Sequence, residues 1–474
     1  MEKFIPTTVE PKSKTRLELV RALGPWAATA IVVGTMIGTG IFLKPAEMAR
    51  EGGTTAIVFA AWIVGGVLSM FGALSFAELG AAIPEAGGEY AYLRRGFGPV
   101  WGYIFGWTHS IVGRPASTAS IAAGLMRFVG FLFPVVAAPI YTFRFQLPFF
   151  ASHHSDFAFT WAQPLAVLAL VLLTFINYLG VRLGGQVQIG LTVIKITSVV
   201  AIIVFGFFFS HGRASNFQPL WPASLGWGTM TGFLAALAAA LWVFDGWEDV
   251  NLVGSEVSDA GRNIPLALIG GVAFVIVLFS VFSAVCFYAL PFNVVATSEH
   301  VASDVVASFA GHGAALWITL AMVISALGTL NSSVLSGARV DYAMARDGIF
   351  FRFAAAIHPK FRTPGNALIF QCCLASLMAL TGTFEDLTSL FIFAGWIFYG
   401  LAVVAMLRLR RTEPNMPRPY RTWGYPIVPV IFVVGALALT ISIWVQRPVR
   451  SSIGVALMWA GLIFYRHWRK RLPA

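Results

Sequence analysis

Residues 34–42 read GTMIGTGIF and interrupt the first long apolar segment of the chain near its middle. Three glycines fall within seven residues there, and each costs about 1 kcal/mol relative to alanine inside a helix. The cluster therefore predicts a break in a membrane-spanning helix. Non-helical backbone survives at that depth only where it is buried in protein or lines a cavity. The alternative is an unbroken helix in which Gly34 and Gly38 form a small-xxx-small packing surface.

A second interrupted segment, residues 241–249, reads LWVFDGWED. A carboxylate at the centre of a span costs about 2.5–3.5 kcal/mol on insertion scales, so the acidic residues here require a polar cavity or partners. A break at Gly246 would expose carbonyl oxygens, which together with Asp245 would accept an ammonium group. The half-helix that starts near Gly40 would direct its free N–H groups towards a carboxylate. Two such breaks predict a site for a small amino-bearing solute.

The composition indicates a membrane protein. Of 474 residues, 58% are hydrophobic and 11% are charged, with a mean hydropathy of +0.77, whereas a soluble domain has about 25% charged residues. Continuous apolar runs near the ~20 residues that cross a bilayer recur along the chain. They predict an all-α membrane protein with about twelve transmembrane helices, at residues 25–49, 54–82, 97–127, 161–180, 187–210, 227–257, 264–291, 312–345, 366–382, 385–408, 425–446 and 452–467.

The net charge of +11 does not indicate a nucleic-acid binder, because the basic residues form no single patch with interleaved aromatic residues. With a cytoplasmic N-terminus, 22 of the 32 Lys and Arg residues fall in cytoplasmic segments. This bias predicts that both termini face the cytoplasm. The histidines and aspartate in the outer loop, residues 128–160, are expected to be solvated and not to hold a metal. No metal or cofactor is predicted.

The two interrupted spans are the first and the sixth, as expected for an inverted repeat of five plus five helices with the site between the repeats. This predicts four regions: a cytoplasmic N-terminal segment at 1–24, a first five-helix repeat at 25–211, an inverted second repeat at 227–408, and two additional transmembrane helices with a basic cytoplasmic C-terminus at 409–474.

Two cations lie inside predicted spans and need partners. Lys195 would lie about 12 Å from the cytoplasmic end of a span that starts at Val187, at ~1.5 Å per residue. An intramembrane cation of this kind pairs with carbonyl groups or a carboxylate and marks a pathway; the alternative is a lysine that reaches the interface. Arg114 would either pair with an acidic neighbour or face a cavity, and the sequence assigns it no role. Glu256 and Arg262 are expected to form a surface or gating pair.

The sequence resembles the amino acid/polyamine/organocation superfamily, and specifically its L-type amino-acid transporter branch, as a bacterial member. The resemblance covers nearly the whole chain. It rests on the order and spacing of several short motifs: GTGIF at 38–42, FDGW at 244–247, Lys195, Asn331-Ser332, ARDG at 345–348 and HPKFRTP at 358–364.

The resemblance implies a LeuT-type inverted-repeat fold, alternating access, and a substrate held by its α-carboxylate and α-amine. It implies that Thr39 and Gly40 bind the carboxylate and that carbonyl groups of the sixth span bind the amine. Trp242 would also be the outer gate, and Lys195 would stand where sodium-coupled relatives keep a cation. The substrate-binding residues expected on this basis are Met36, Ile37, Gly38, Thr39, Gly40, Trp242, Val243, Asp245, Gly246 and Glu248.

Two departures from the family pattern bear on function. Glu248 stands where relatives commonly have Asn, which adds a carboxylate near the substrate side chain. Animal light subunits link to a heavy chain through an extracellular cysteine, and loop 128–160 has none, so no disulfide-linked partner is expected.

The leading hypothesis is sodium-independent exchange of neutral L-amino acids. The alternatives are a proton-coupled or cationic amino acid or polyamine permease and, more remotely, an intramembrane enzyme or scaffold.

Overall fold

The computed structural model describes residues 17–143, 157–381, 384–446 and 448–469. The apolar runs form helices throughout. Those of the first half of the chain are α1 (Pro25–Met36), α2 (Gly40–Gly52), α3 (Thr55–Ala82), α4 (Glu89–Phe97), α5 (Pro99–Thr108), α6 (Arg114–Leu132), α7 (Ala162–Tyr178) and α8 (Val181–Phe209). Those of the second half are α9 (Trp227–Val243), α10 (Asp249–Leu252), α11 (Ala260–Ala289), α12 (Phe292–Thr297), α13 (Val301–Ala310), α14 (Ala315–Arg346), α15 (Gly365–Thr381), α16 (Phe384–Thr412), α17 (Ile427–Gln446) and α18 (Pro448–Arg469).

Each of the twelve predicted spans coincides with a helix or with a helix that contains a break. Within the described ranges, seven helical segments are long and apolar enough to cross a membrane, and four further apolar helices are shorter. The protein is therefore an all-α membrane protein, as the sequence predicts.

Both predicted breaks are present. The first span is α1 followed by α2, with residues 37–39 outside any helix. The sixth span is α9 followed by the short α10, with residues 244–248 in a turn. The paired halves pack in a consistent way, since α2 contacts α9 and α1 contacts α10. The two breaks therefore lie at the same level of the bundle.

Three features differ from the sequence prediction. The fifth span, α8, begins at Val181 and not at residue 187, because Gly180 at φ +152° ends the preceding segment. Short helices α4, α12 and α13 lie in what was expected to be loop. A two-stranded antiparallel sheet, β1 (Pro139–Phe143) with β2 (Phe157–Thr160), lies in the long segment that the sequence predicts to be an outer loop. The histidines and aspartate of that loop for which the sequence analysis considers a metal site, His153, His154 and Asp156, lie outside the described residues.

A short backbone bridge ties the chain entering α1 to the chain leaving the sixth span. Leu23 N donates to Glu256 O at 3.0 Å, and Ser258 N donates to Leu23 O at 2.9 Å. The Ser258 hydroxyl also donates to Leu23 O, at 3.1 Å. We call this three-bond contact the inner strap, because the positive-inside bias predicts that it lies on the cytoplasmic side.

Glu256 does not pair with Arg262, and the expectation of a surface pair there is wrong. Its carboxylate receives Arg339 Nε on Oε1 at 2.7 Å and Arg339 Nη2 on Oε2 at 3.1 Å. Both side chains are fully buried. Arg339 lies on α14, 83 residues away in sequence, so a pattern of near neighbours could not identify it as the partner.

This pair generates a stability prediction. Glu256→Gln leaves the Arg339 charge buried without a counter-ion, which costs about 3–5 kcal/mol. The matched control is Glu413→Gln, whose ion pair with Arg95 is more than a third exposed on both sides and is worth less than about 1 kcal/mol. We expect a clearly lower apparent Tm for the first variant alone, measured in detergent by size-exclusion fluorescence. Equal Tm values for the two variants would contradict the assignment.

Candidate functional site

Lys195 holds the break of the first span. Its side chain is 1% exposed, and Nζ donates to the carbonyl oxygens of Gly34 and Ile37 at 2.6 and 2.9 Å. A third bond, of 3.0 Å, goes to Thr329 Oγ1 on α14. These acceptors are uncharged oxygens. The two carbonyl oxygens lack a helical N–H donor because the α1 helix ends there. The ammonium group therefore replaces the helical N–H donors that the break removes.

The longer α8 places Lys195 further from the start of its helix than the sequence suggests. Val181 is 14 residues before it, which corresponds to about 21 Å along the helix at ~1.5 Å per residue. Two polar residues earlier on the same helix also bond to α1. Gln188, two turns before Lys195, donates to Ala30 O at 3.1 Å, and Thr192, one turn before it, donates to the same oxygen at 3.2 Å. One face of α8 is therefore bonded to the first span at three successive helical turns, through Gln188, Thr192 and Lys195.

The two breaks touch one another at glycines. Gly246 has φ +97°, and a Cβ atom there would lie 2.4 Å from Thr35 Cγ2 in the first span. A Cβ atom on Gly40 would lie 2.9 Å from the Trp242 ring and 3.1 Å from Val243. Both positions therefore need glycine for close approach, and Gly246 needs it for its backbone conformation as well.

A cavity of about 110 Å³ lies between the two breaks. Its walls come from the first, third and sixth spans and from α14. The lining residues are Thr35, Met36, Gly38, Thr39, Gly40, Arg114, Ser117, Ser120, Ile121, Trp242, Val243, Asp245, Gly246, Glu248, Asp249, Ala326, Thr329 and Ser333. All of the substrate-binding residues expected from the sequence are in this set except Ile37.

Ile37 lies elsewhere because the broken backbone turns it away from the cavity. Its side chain is fully buried in the apolar core. Its carbonyl oxygen accepts from Lys195 at 2.9 Å and from Ser325 Oγ at 3.0 Å. Ile37 thus contributes an acceptor to the Lys195 contact and not a wall to the cavity.

Arg114 both pairs with an acid and faces the cavity. Nη2 donates to Asp249 Oδ1 at 2.5 Å and Nη1 to Oδ2 at 3.3 Å, while Nε donates to His109 Nε2 at 3.2 Å. Nη1 also reaches Ser333 Oγ at 3.3 Å. The residues immediately before Arg114, His109–Gly113, form a π-helical turn between α5 and α6. Such a turn inserts an extra residue, which shifts the angle at which the following side chain leaves the helix.

The other two carboxyl groups of the sixth span share one phenol. The Tyr399 hydroxyl on α16 lies 2.6 Å from Glu248 Oε1 and 3.1 Å from Asp245 Oδ1. Glu248 and Tyr399 are 4% and 5% exposed. The second oxygen of Glu248, Oε2, is buried without a hydrogen-bond partner among the described residues. It is a buried acceptor without a donor, on a residue that lines the cavity.

Trp242, the expected outer gate, lies against the first turns of α2. The Lys44 ammonium group is 4.8 Å from the centre of the Trp242 ring, within the range of a cation–π contact. Lys44 is also paired with Glu47 at 2.5 Å. This contact joins α2 to α9 beside the cavity.

Sequence reasoning missed the pairing of Arg114 with Asp249 and the contribution of Tyr399. Arg114 carried a signal, because three acidic residues in one span require a cation from another. Tyr399 carried none, since a tyrosine in an apolar span is compatible with plain packing. Its role depends on the position of α16 beside the sixth span.

Two broken helices that meet at a polar cavity, within a bundle of helices long and apolar enough to cross a membrane, are typical of a membrane carrier of a small solute. A family model described as amino acid permease matches residues 23–465. The chain belongs to this family. It is an amino-acid transporter and not an enzyme.

Individual relatives match along almost their whole length. The serine/threonine exchanger SteT of Bacillus subtilis is 29% identical over 456 residues, which cover 96% of this chain and 98% of the relative. The b(0,+)-type amino acid transporter 1 of Mus musculus is 30% identical, with 94% and 88% covered. The human cystine/glutamate transporter is 27% identical, with 96% and 87% covered.

The glycine contacts generate a prediction for transport. Gly246→Ala forces a side chain into a φ that costs about 1–3 kcal/mol and into contact with Thr35. We expect the initial rate of amino-acid uptake into proteoliposomes to fall by roughly tenfold or more, since about 1.4 kcal/mol corresponds to tenfold.

The matched control is Gly228→Ala at the start of α9, where nothing lies within 4 Å of an added Cβ. We expect uptake by this variant to remain near that of the unchanged protein. Normal uptake by Gly246→Ala would show that the two breaks need not touch.

Proposed function

We propose that the protein exchanges neutral L-amino acids across the membrane by alternating access, without sodium. The observation that carries the proposal is the fixed ammonium group of Lys195, which bonds the break of the first span to α8 and α14. A mobile cation would be redundant there, because the backbone acceptors already have a donor. A second cation at hydrogen-bond distance from Nζ would also be repelled strongly in so buried a place.

The substrate zwitterion fits between the two breaks in one orientation. The first N–H groups of α2, from Gly40 onward, have no acceptor within the helix and suit the α-carboxylate. The last carbonyl groups of α9, at Trp242 and Val243, have no donor within the helix and suit the α-amine. Asp245, whose backbone carbonyl group follows them in the chain, also lines the cavity. The side chain would then occupy the remaining part of the cavity, which Glu248 and Arg114 line.

Exchange, as opposed to net uptake, is supported by two considerations. Alternating access requires the inner part of the first span to move relative to α8, which breaks buried hydrogen bonds of Lys195. In the loaded carrier, bonds from the substrate to both breaks offset part of this cost; in the empty carrier nothing does. One relative of nearly equal length is itself described as a serine/threonine exchanger.

The remaining features of the proposal come from the sequence. The positive-inside bias supports cytoplasmic termini in a bacterial plasma membrane. The lack of a cysteine in residues 128–160 supports a carrier that works without a disulfide-linked heavy chain. The preferred side chain stays open, because the relatives are described by substrates as different as serine and threonine or cystine and glutamate.

Sodium independence is directly testable. We expect the purified chain, alone in proteoliposomes, to take up alanine at the same rate in sodium chloride as in choline chloride. Lys195→Met removes the charged donor from the carbonyl oxygens of Gly34 and Ile37, which costs about 1–3 kcal/mol, so its uptake should fall by roughly tenfold. Lys360→Met, in an exposed loop, is the matched control. A requirement for sodium in the unchanged protein would overturn the proposal.

Exchange is tested by efflux. Vesicles are loaded with labelled alanine and diluted into buffer with or without external serine. Because only the loaded carrier is expected to turn over, external serine should accelerate efflux by at least about tenfold, equivalent to roughly 1.4 kcal/mol in the rate-limiting step. Equal efflux rates in the two buffers would reject exchange, even if uptake itself were robust.

A further inference from the structure

The charges around the cavity do not balance. Three carboxyl groups line it, from Asp245, Glu248 and Asp249, against one cation, Arg114. Asp249 binds Arg114 through both of its oxygens, so this pair is neutral as a unit. None of the ion pairs formed by the described residues includes Asp245 or Glu248. A surplus of two carboxyl groups therefore faces the solute.

The neighbouring elements offer no compensation. On the third span, His109 already accepts from Arg114 through Nε2. Glu89, at the start of α4, is a further buried carboxyl group and supplies no positive charge. Lys195 bonds to the first span, away from the cavity wall. Positive charge for Asp245 and Glu248 must come from a proton or from the transported solute.

The phenol between the two carboxyl groups specifies how a proton is held. The Tyr399 oxygen is within hydrogen-bond distance of both Asp245 and Glu248. A phenol has a single proton to donate, so only one of the two can accept from it. The other can bond to the same oxygen only as a protonated acid that donates. The arrangement is therefore complete with one shared extra proton, and two ionised carboxylates around one hydroxyl would repel each other.

We propose that Asp245, Tyr399 and Glu248 form a side-chain subsite that holds one proton when the transported amino acid is neutral and releases it when the amino acid carries an ammonium or guanidinium side chain. Glu248 lines the cavity and its Oε2 has no hydrogen-bond partner among the described residues, so this oxygen is an acceptor available to such a side chain. This inference rests on the proposed exchange function. It makes neutral and cationic amino acids interchangeable without net charge movement: a cationic amino acid enters while a neutral one leaves with a proton.

The test follows protons during exchange in proteoliposomes that contain alanine and a trapped pH indicator. External arginine should be taken up, and the lumen should become alkaline by about one proton for each arginine, the number that the shared hydroxyl can hold. An imposed potassium diffusion potential should leave the rate unchanged. External serine should be exchanged with no change in lumenal pH.

Glu248→Gln provides a second, independent readout. Removing the open acceptor should lower the ratio of arginine to alanine uptake by at least about tenfold, the effect of losing one buried charge partner. Glu413→Gln, outside the cavity, should leave both the ratio and the proton movement as they are.

The outcomes separate this inference from the proposed function. If alanine and serine exchange normally but arginine is not carried, or is carried without proton release and with net charge movement, the subsite proposal is overturned and the exchanger stands. An unchanged arginine-to-alanine ratio in Glu248→Gln overturns it as well. If no amino acid exchanges at all, the proposed function fails and this inference fails with it.

Discussion

Three hydrogen bonds from the buried ammonium group of Lys195 stabilise the break of the first span and join it to α8 and α14. The break at residues 37–39 removes donors from the end of α1 in a region without water, and unsatisfied carbonyl groups there cost several kcal/mol. Lys195 supplies the missing donors from a different helix. The glycine-rich break, the long α8 and the Thr329 hydroxyl on α14 therefore meet at one ammonium group. Without the lysine, the carbonyl oxygens of Gly34 and Ile37 would keep only hydroxyl donors from α14.

The acidic side of the site obeys a different rule. Carboxyl groups are stable in mid-membrane only when each has a proton, a cation or a donor. Asp249 receives a guanidinium group, and the other two share a phenol. These two arrangements have different consequences, because the first is closed and neutral whereas the second can still accept a positive charge. The cavity therefore contains one neutral ion pair, Arg114 with Asp249, and two carboxyl groups, those of Asp245 and Glu248, that can still accept a positive charge.

The sequence predicted the parts of this structure that leave a local signal. Glycines in an apolar run and acids in mid-span marked both breaks, and Lys195 stood out because a cation at that depth needs acceptors. The predicted start of α8 was wrong by six residues, since the apolar run does not show that Gly180 is the true boundary. Partners from distant helices left no such signal. Tyr399 and Arg339 have their roles only because α16 and α14 pack beside the sixth span.

The inner strap restricts how the carrier can open. Leu23 precedes the first span, and Ser258 follows the sixth, yet the two are bonded directly. The inner ends of the two broken spans therefore behave as a single mechanical unit unless all three bonds are lost at once. If they stay, access from that side arises by a joint swing of both ends about the two glycine-containing pivots. The water path would then open between this unit and the rest of the bundle, not between the two spans.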